Sequence, residues 1–227
     1  MTSSRKIGMW IGVPLLIVTG VVGGGLVFRG EYATEQTAQR SFTIDEDFTK
    51  VRKIMVRTKA AQEIITMGGD SEFVEQKWEG GSADAAGEDV GKAFLRNVLS
   101  SDPDWQLKLH GTLKVRTLDD YIGKDVVALE QEVDIVPDHL QSDTKLMEGS
   151  KRLLGYAMTT RLEREEDHTR VVLKLTQEIK TDAPWFAHGI ADRRVRASAE
   201  RALANQADAM RRLIDDNRDK NWLFPLK

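Results

Sequence analysis

Alternation of apolar and polar residues in four segments constrains the fold of this chain more than any other feature. In the first segment the residues at every second position are apolar or small: Leu107, Leu109, Gly111, Leu113 and Val115. A period of two is typical of a β-strand with one buried and one solvated face. The same pattern recurs in three later segments, at 127–135, 154–162 and 171–180. No helical pattern separates these strands, so we predict an antiparallel sheet with one apolar face.

Shorter signals complete this sheet and supply helices to cover it. Residues 72–79 are a weaker strand candidate, and the charged turn 163–169 predicts a hairpin between the last two strands. A first helix is expected from Asp45 or Asp47 to the Gly68-Gly69 pair. A second, longer helix is expected after Asp182 and Pro184. Its predicted buried face consists of Val195, Ala199, Leu203, Met210, Leu213 and Ile214.

Residues 7–28 form an uncharged, largely apolar run of 22 residues. A helix needs roughly 20 such residues to cross a bilayer, and we therefore predict a transmembrane signal anchor. Arg5 and Lys6 precede the run, which favours a cytoplasmic amino terminus at 1–6 and an extracytoplasmic remainder, periplasmic or at the cell surface. A cleaved signal peptide is the alternative, although the run is long for one and lacks an A-x-A site.

The remaining chain has the composition of one globular domain. After residue 30 there are 30 lysines and arginines against 36 aspartates and glutamates, and the chain has no cysteine. This acidic balance argues against nucleic acid as a partner. The absence of cysteine excludes disulfides and thiolate metal sites. We divide the chain into a tether at 29–40, a domain at 41–216 and a tail at 217–227.

The order of these elements resembles the helix-grip fold of the START-like superfamily, also called SRPBCC. The resemblance covers about Ser41 to Ile214, and its most suggestive part is Ile179 to Phe186 leading into the long helix. The expected fold class is therefore α+β: an N-terminal transmembrane helix, then a curved antiparallel sheet gripped by a long C-terminal helix. The resemblance implies an apolar cavity between sheet and helix, which many members of the superfamily use to bind hydrophobic molecules.

No motif in the chain predicts catalysis, a metal site or a cofactor. The four histidines lack metal-ligand spacing, and Gly87–Lys92 lacks the first glycine and the hydroxyl residue of a phosphate loop. We therefore expect a membrane-associated protein that binds a lipid or a quinone-like molecule and does not catalyse a reaction. A packed interaction module and a cyclase- or hydrolase-type enzyme are the alternatives. The candidate cavity residues are Trp105, Leu109, Leu113, Tyr156, Met158, Leu173, Leu175, Trp185 and Phe186.

Overall fold

The computed structural model of the chain describes residues 30–81, 106–119 and 122–220. Within these residues, seven strands form one antiparallel sheet in the order β1-β7-β6-β5-β4-β3-β2. The strands are β1 Glu31–Ile44, β2 Ser71–Gly81, β3 Leu107–Thr117, β4 Val126–Ile135, β5 His139–Glu148, β6 Leu153–Glu165 and β7 His168–Asp182. The predicted strands are confirmed as β2, β3, β4, β6 and β7, and the predicted hairpin joins β6 to β7.

Three α-helices lie in the described residues: α1 Phe48–Arg57, α2 Ala60–Gly68 and α3 His188–Asp215. A single 3₁₀ turn, Trp185–Ala187, leads into α3. The helix α3 packs against β1, β7 and α2, and its predicted inner face is buried throughout. Side chains from the concave face of the sheet and from the helices form the hydrophobic core.

The first predicted helix is divided into α1 and α2. Asp47 caps α1 as expected, since its carboxylate accepts hydrogen bonds from the backbone N–H groups of Thr49 and Lys50. Lys59 then adopts a left-handed conformation with φ 51° and ψ 50°, which ends one helical axis and begins another. The apolar residues 54, 55 and 65 are compatible with one helix or two, so their pattern does not reveal this break.

The predicted transmembrane helix is the part of the fold class that is corrected. No helix within residues 30–81, 106–119 and 122–220 is long and apolar enough to cross a membrane. The longest, α3, has 28 residues but carries charged side chains along its exposed side. Residues 7–28, on which the prediction was based, lie outside the described residues. The cellular location inferred from them stays a prediction.

Two further corrections concern the sheet. Most of the predicted tether is strand, because β1 begins at Glu31 and pairs with β7 from Glu31 opposite Asp182 to Ile44 opposite Thr169. The inward positions of β1 include the polar residue Thr34, which hides its alternation. The strand β5 was also missed, because its inward positions include the polar residues Ser142 and Thr144.

Candidate functional site

The concave face of the sheet, α2 and α3 surround a cavity of about 500 Å³. This volume falls within the range of roughly 300–1,000 Å³ that is common for small-molecule sites. Much of the wall is aliphatic, with leucines and valines from β3 and β4, isoleucines from α2 and Met210 from α3. The lining draws on both clusters of the apolar core, with Leu109 and Met210 from one and Leu113, Val127 and Leu129 from the other. An apolar ligand body would therefore meet hydrocarbon on several sides.

A band of polar side chains crosses the sheet floor of this cavity. The amide nitrogen Nε2 of Gln76 on β2 donates to Oε1 of Gln131 on β4 at 2.8 Å. Nε2 of Gln131 donates in turn to the hydroxyl of Ser142 on β5 at 3.1 Å. Thr144 lies opposite Gln131, and Thr160 on β6 lies opposite Ser142. These five residues, the polar band, all line the cavity and offer hydrogen-bonding groups to a ligand.

Gly111 allows β2 to approach β3 closely beside the polar band. It is paired with Gln131 on β4 and with Trp78 on β2. A Cβ atom at this position would lie 2.3 Å from the backbone oxygen of Lys77 and 2.8 Å from the ring of Trp78. The close contact between the two strands therefore requires glycine at residue 111.

Tyr156 contributes a further hydroxyl to the cavity wall. Its oxygen donates to the thioether sulfur of Met158 at 3.3 Å, and sulfur is a weak acceptor. Burial raises the pKa of Tyr156 to about 12, because the interior disfavours the phenolate. The group therefore remains a protonated donor at physiological pH, and a ligand oxygen would be a better acceptor than the sulfur.

Hydrogen bonds hold α3 over the cavity. The hydroxyl of Ser198 donates to Oδ2 of Asp119 at 2.8 Å, and the amide of Asn205 donates to Oδ2 of Asp70 at 2.7 Å. The buried Gln177 on β7 donates from Nε2 to the backbone oxygen of Val195 at 3.0 Å. The five side chains in these bonds all line the cavity. They fix the helix relative to the sheet and so define the shape of the cavity.

The structure places the predicted cavity residues in three groups. Leu109, Leu113, Tyr156, Met158 and Leu175 line the cavity. Leu173 is fully buried in the core next to it, and Trp105 lies outside the described residues.

Trp185 and Phe186 make up the third group. Their side chains are 72% and 63% exposed at the start of α3, and neither belongs to the cavity lining. Both residues were predicted to line the cavity because apolar ligands favour aromatic walls.

The polar band was not predicted from the sequence. Gln76, Gln131 and Ser142 stand at inward positions of their strands, where polar residues are unusual. That departure from apolar alternation is the signal by which they could have been found. Recognising the band also requires the register of the strands, because only the register shows that the three residues are neighbours.

A histidine–carboxylate group lies on the opposite, outer face of the sheet. His110 on β3 has its Nε2 3.6 Å from Glu130 and its Nδ1 3.9 Å from Glu132, both on β4. One ligand atom from each residue falls within 4.8 Å of the others, a spacing that could hold a metal ion. All three side chains are at least partly exposed. The group belongs to a different surface from the cavity.

Comparisons with known proteins support the fold and go no further. No protein-family model and no curated protein sequence matches the chain. A Staphylococcus aureus protein of unknown function matches with a TM-score of 0.51 at 6% identity, over 83% of this chain and 98% of that one. An aromatase/cyclase from Streptomyces has a TM-score of 0.48 at 11% identity, over 82% and 96% of the two chains.

A START superfamily protein from Mycobacterium smegmatis has a TM-score of 0.44 at 13% identity, over 79% of this chain and 97% of that one. The strand order of the sheet and the long C-terminal helix that covers it confirm the helix-grip fold predicted from the sequence. Identities this low show the fold alone.

Proposed function

We propose that this protein binds a hydrophobic small molecule in the cavity between the sheet and α3, and releases it chemically unchanged. One observation carries the proposal: a cavity of about 500 Å³ whose largely aliphatic wall is crossed by a polar band. A packed interaction module needs no such space. Small-molecule sites commonly combine apolar walls with a few well-placed polar groups.

The chemistry of the wall indicates the shape of the ligand. Its body would be apolar, to match the leucines, isoleucines and valines of the wall. One edge would carry oxygen atoms that accept from Tyr156 and hydrogen-bond with the polar band. A lipid with a carbonyl or hydroxyl group, or a quinone, fits this description.

Binding without catalysis is favoured by the acids and bases of the cavity wall. Among the lining residues that the structure describes, there is no histidine, and the two basic residues, Lys59 and Arg201, are exposed to solvent. The two lining aspartates, Asp70 and Asp119, accept hydrogen bonds that hold α3. General acid–base catalysis needs a positioned group whose pKa lies near the working pH. Tyr156, with its pKa raised to about 12, is far from that range.

Filling the cavity tests the proposal directly. Ala202 lines the cavity from α3, and Ala202→Trp would occupy part of its volume. Ala197 is exposed on the same helix, so Ala197→Trp is a matched control. Titration of the purified full chain with the neutral probe N-phenylnaphthylamine should show binding to wild type and to the Ala197 variant. We expect the Ala202 variant to bind at least tenfold more weakly, with its circular dichroism spectrum unchanged.

Equal affinity of the probe for all three proteins would contradict the proposal. Failure of the wild type to bind any hydrophobic probe would instead favour the packed interaction module. Solvent extraction of the purified wild type, followed by mass spectrometry, would identify the natural ligand. A chemical change in that ligand on incubation with the protein would favour the cyclase- or hydrolase-type alternative.

A further inference from the structure

The large hydrophobic side chains that are exposed in the described residues all lie at one end of the sheet. We call this the β1-start end, because β1 begins here and β7 ends opposite it, with Glu31 paired to Asp182. The strand register brings four exposed residues to this end: Val74, Val126, Met147 and Leu154. Exposed apolar side chains scattered over a surface need no explanation, but their concentration at one end marks an interaction surface.

The largest exposed group is at the start of α3, at the same end of the sheet. Trp185, Phe186 and Ile190 are 72%, 63% and 46% exposed, and the two aromatic rings meet edge to face at 5.8 Å. We call these three residues the aromatic corner. Tyr32 holds the helix start beside them: its ring stacks on His188 at 3.7 Å and its hydroxyl donates to Asp192 at 2.9 Å. The aromatic corner is therefore presented on a fixed platform.

The path of the chain points to what this end contacts. The backbone oxygen of Gly30 accepts a hydrogen bond from the N–H of Ala183 at 3.1 Å, two residues before Trp185. The uncharged, apolar run 7–28 ends two residues before Gly30 in the sequence. The most hydrophobic segment of the chain therefore joins the domain beside the aromatic corner.

The exposed charges of α3 beside the aromatic corner are positive. Arg193 and Arg194 follow Ile190 by three and four positions, so they share its side of α3. Both are exposed, and neither forms an ion pair within the part of the chain that the structure describes. Among the nearby carboxylates, Glu31 is paired with Lys180, and Asp192 is half-buried and accepts the hydrogen bond from Tyr32, whereas Asp182 is exposed. The formal charges therefore balance, but the two guanidinium groups are the α3 charges most open to a phosphate.

We propose that the β1-start end docks on a phospholipid bilayer. Trp185, Phe186 and Ile190 enter the interfacial layer, where amphipathic aromatic rings are favoured. Arg193 and Arg194 lie at the level of the lipid phosphates, and anionic lipids strengthen the contact. The cavity lining extends to Ser71 and Thr117 at this same end, so docking brings it near the bilayer. The docking surface does not depend on ligand binding in the cavity.

Single-cysteine labelling tests the contact within the full chain. The protein has no cysteine, so Phe186→Cys and Ile190→Cys each give one labelling site for an environment-sensitive NBD dye. Asp167→Cys, in the turn between β6 and β7 at the far end of the sheet, is the matched control. On addition of phosphatidylcholine vesicles containing phosphatidylglycerol, dyes at 186 and 190 should shift to the blue. Brominated lipids should quench them, whereas the dye at 167 should not respond.

The arginines are tested in the Phe186→Cys protein. Arg193→Gln with Arg194→Gln should weaken partitioning into vesicles that contain phosphatidylglycerol by roughly fivefold per arginine. It should leave partitioning into phosphatidylcholine alone nearly unchanged.

Two results would overturn the proposal. In the first, the dyes at 186 and 190 would be as unresponsive as the dye at 167 although the chain sediments with the vesicles. In the second, the dye at 186 would already be shielded in buffer, and the aromatic corner would then be covered by protein.

Discussion

Leu173→Ala and Leu175→Ala form a matched pair that tests whether the cavity exists. Both leucines are buried on the same face of β7, but only Leu175 lines the cavity. Each truncation loses roughly 2.5 kcal/mol of transfer free energy, at about 0.8 kcal/mol for each methylene-sized group. Leu173→Ala also opens a new void in a packed region, and Leu→Ala costs reach about 5 kcal/mol in such sites. We therefore expect Leu173→Ala to cost up to about 2 kcal/mol more than Leu175→Ala.

Equilibrium urea unfolding of the delipidated full chain, followed by far-ultraviolet circular dichroism, measures this difference. The two variants should show the same dependence on urea concentration as wild type, with the midpoint lower for Leu173→Ala. N-phenylnaphthylamine affinity gives an independent readout, because only Leu175→Ala should change it. Equal destabilisation by the two substitutions, with equal effects on the probe, would show that the space next to Leu175 is packed and would refute the reasoning.

Gly111→Ala should destabilise the fold by about 1–3 kcal/mol in urea unfolding, because the added Cβ would overlap the backbone oxygen of Lys77. Asp47→Ala should cost about 1 kcal/mol by the same assay, since it removes the α1 cap, and Asp47→Asn should restore most of it. Tyr156 should titrate near pH 12 in difference absorbance at 295 nm. Its neutral form is favoured in the folded state, so its contribution to stability is complete below about pH 10. That contribution declines as the pH rises from 10 towards 12. Titration of Tyr156 near pH 10 would contradict the expectation for this tyrosine. Equal stability of Asp47→Ala and Asp47→Asn would contradict the expectation for the α1 cap.

The sequence predicts the parts of this fold that follow a clear hydrophobic period. In β3 and β7 most inward positions are apolar or glycine, and both strands were found with their correct faces. The inner face of α3 was found for the same reason. The strand β5 has Ser142 and Thr144 at inward positions, so its pattern resembles that of a loop. Leu154 was assigned inward, but a register shift between Leu153 and Gly155 turns it to the surface.

The candidate site was predictable only in its apolar part. Leucines at inward strand positions beside a gripping helix are expected to face that helix, and Leu109, Leu113 and Leu175 do so. Whether two apolar surfaces touch or leave a space depends on side-chain packing, which a period of two does not encode. The polar band depends on pairing between strands that are far apart in sequence: Gln76 and Gln131 are 55 residues apart.

The cost of an empty cavity links the stability of this protein to its proposed function. Water that fills an open cavity leaves its apolar walls hydrated, at about 25 cal/mol for each Å² of apolar surface. Water can hydrogen-bond along the polar band, but it makes no such bonds with the aliphatic walls. A ligand that bonds to the band and covers these walls removes apolar surface from water, and its binding stabilises the folded chain in proportion to its affinity and concentration. The chemistry of the walls therefore favours an amphipathic ligand.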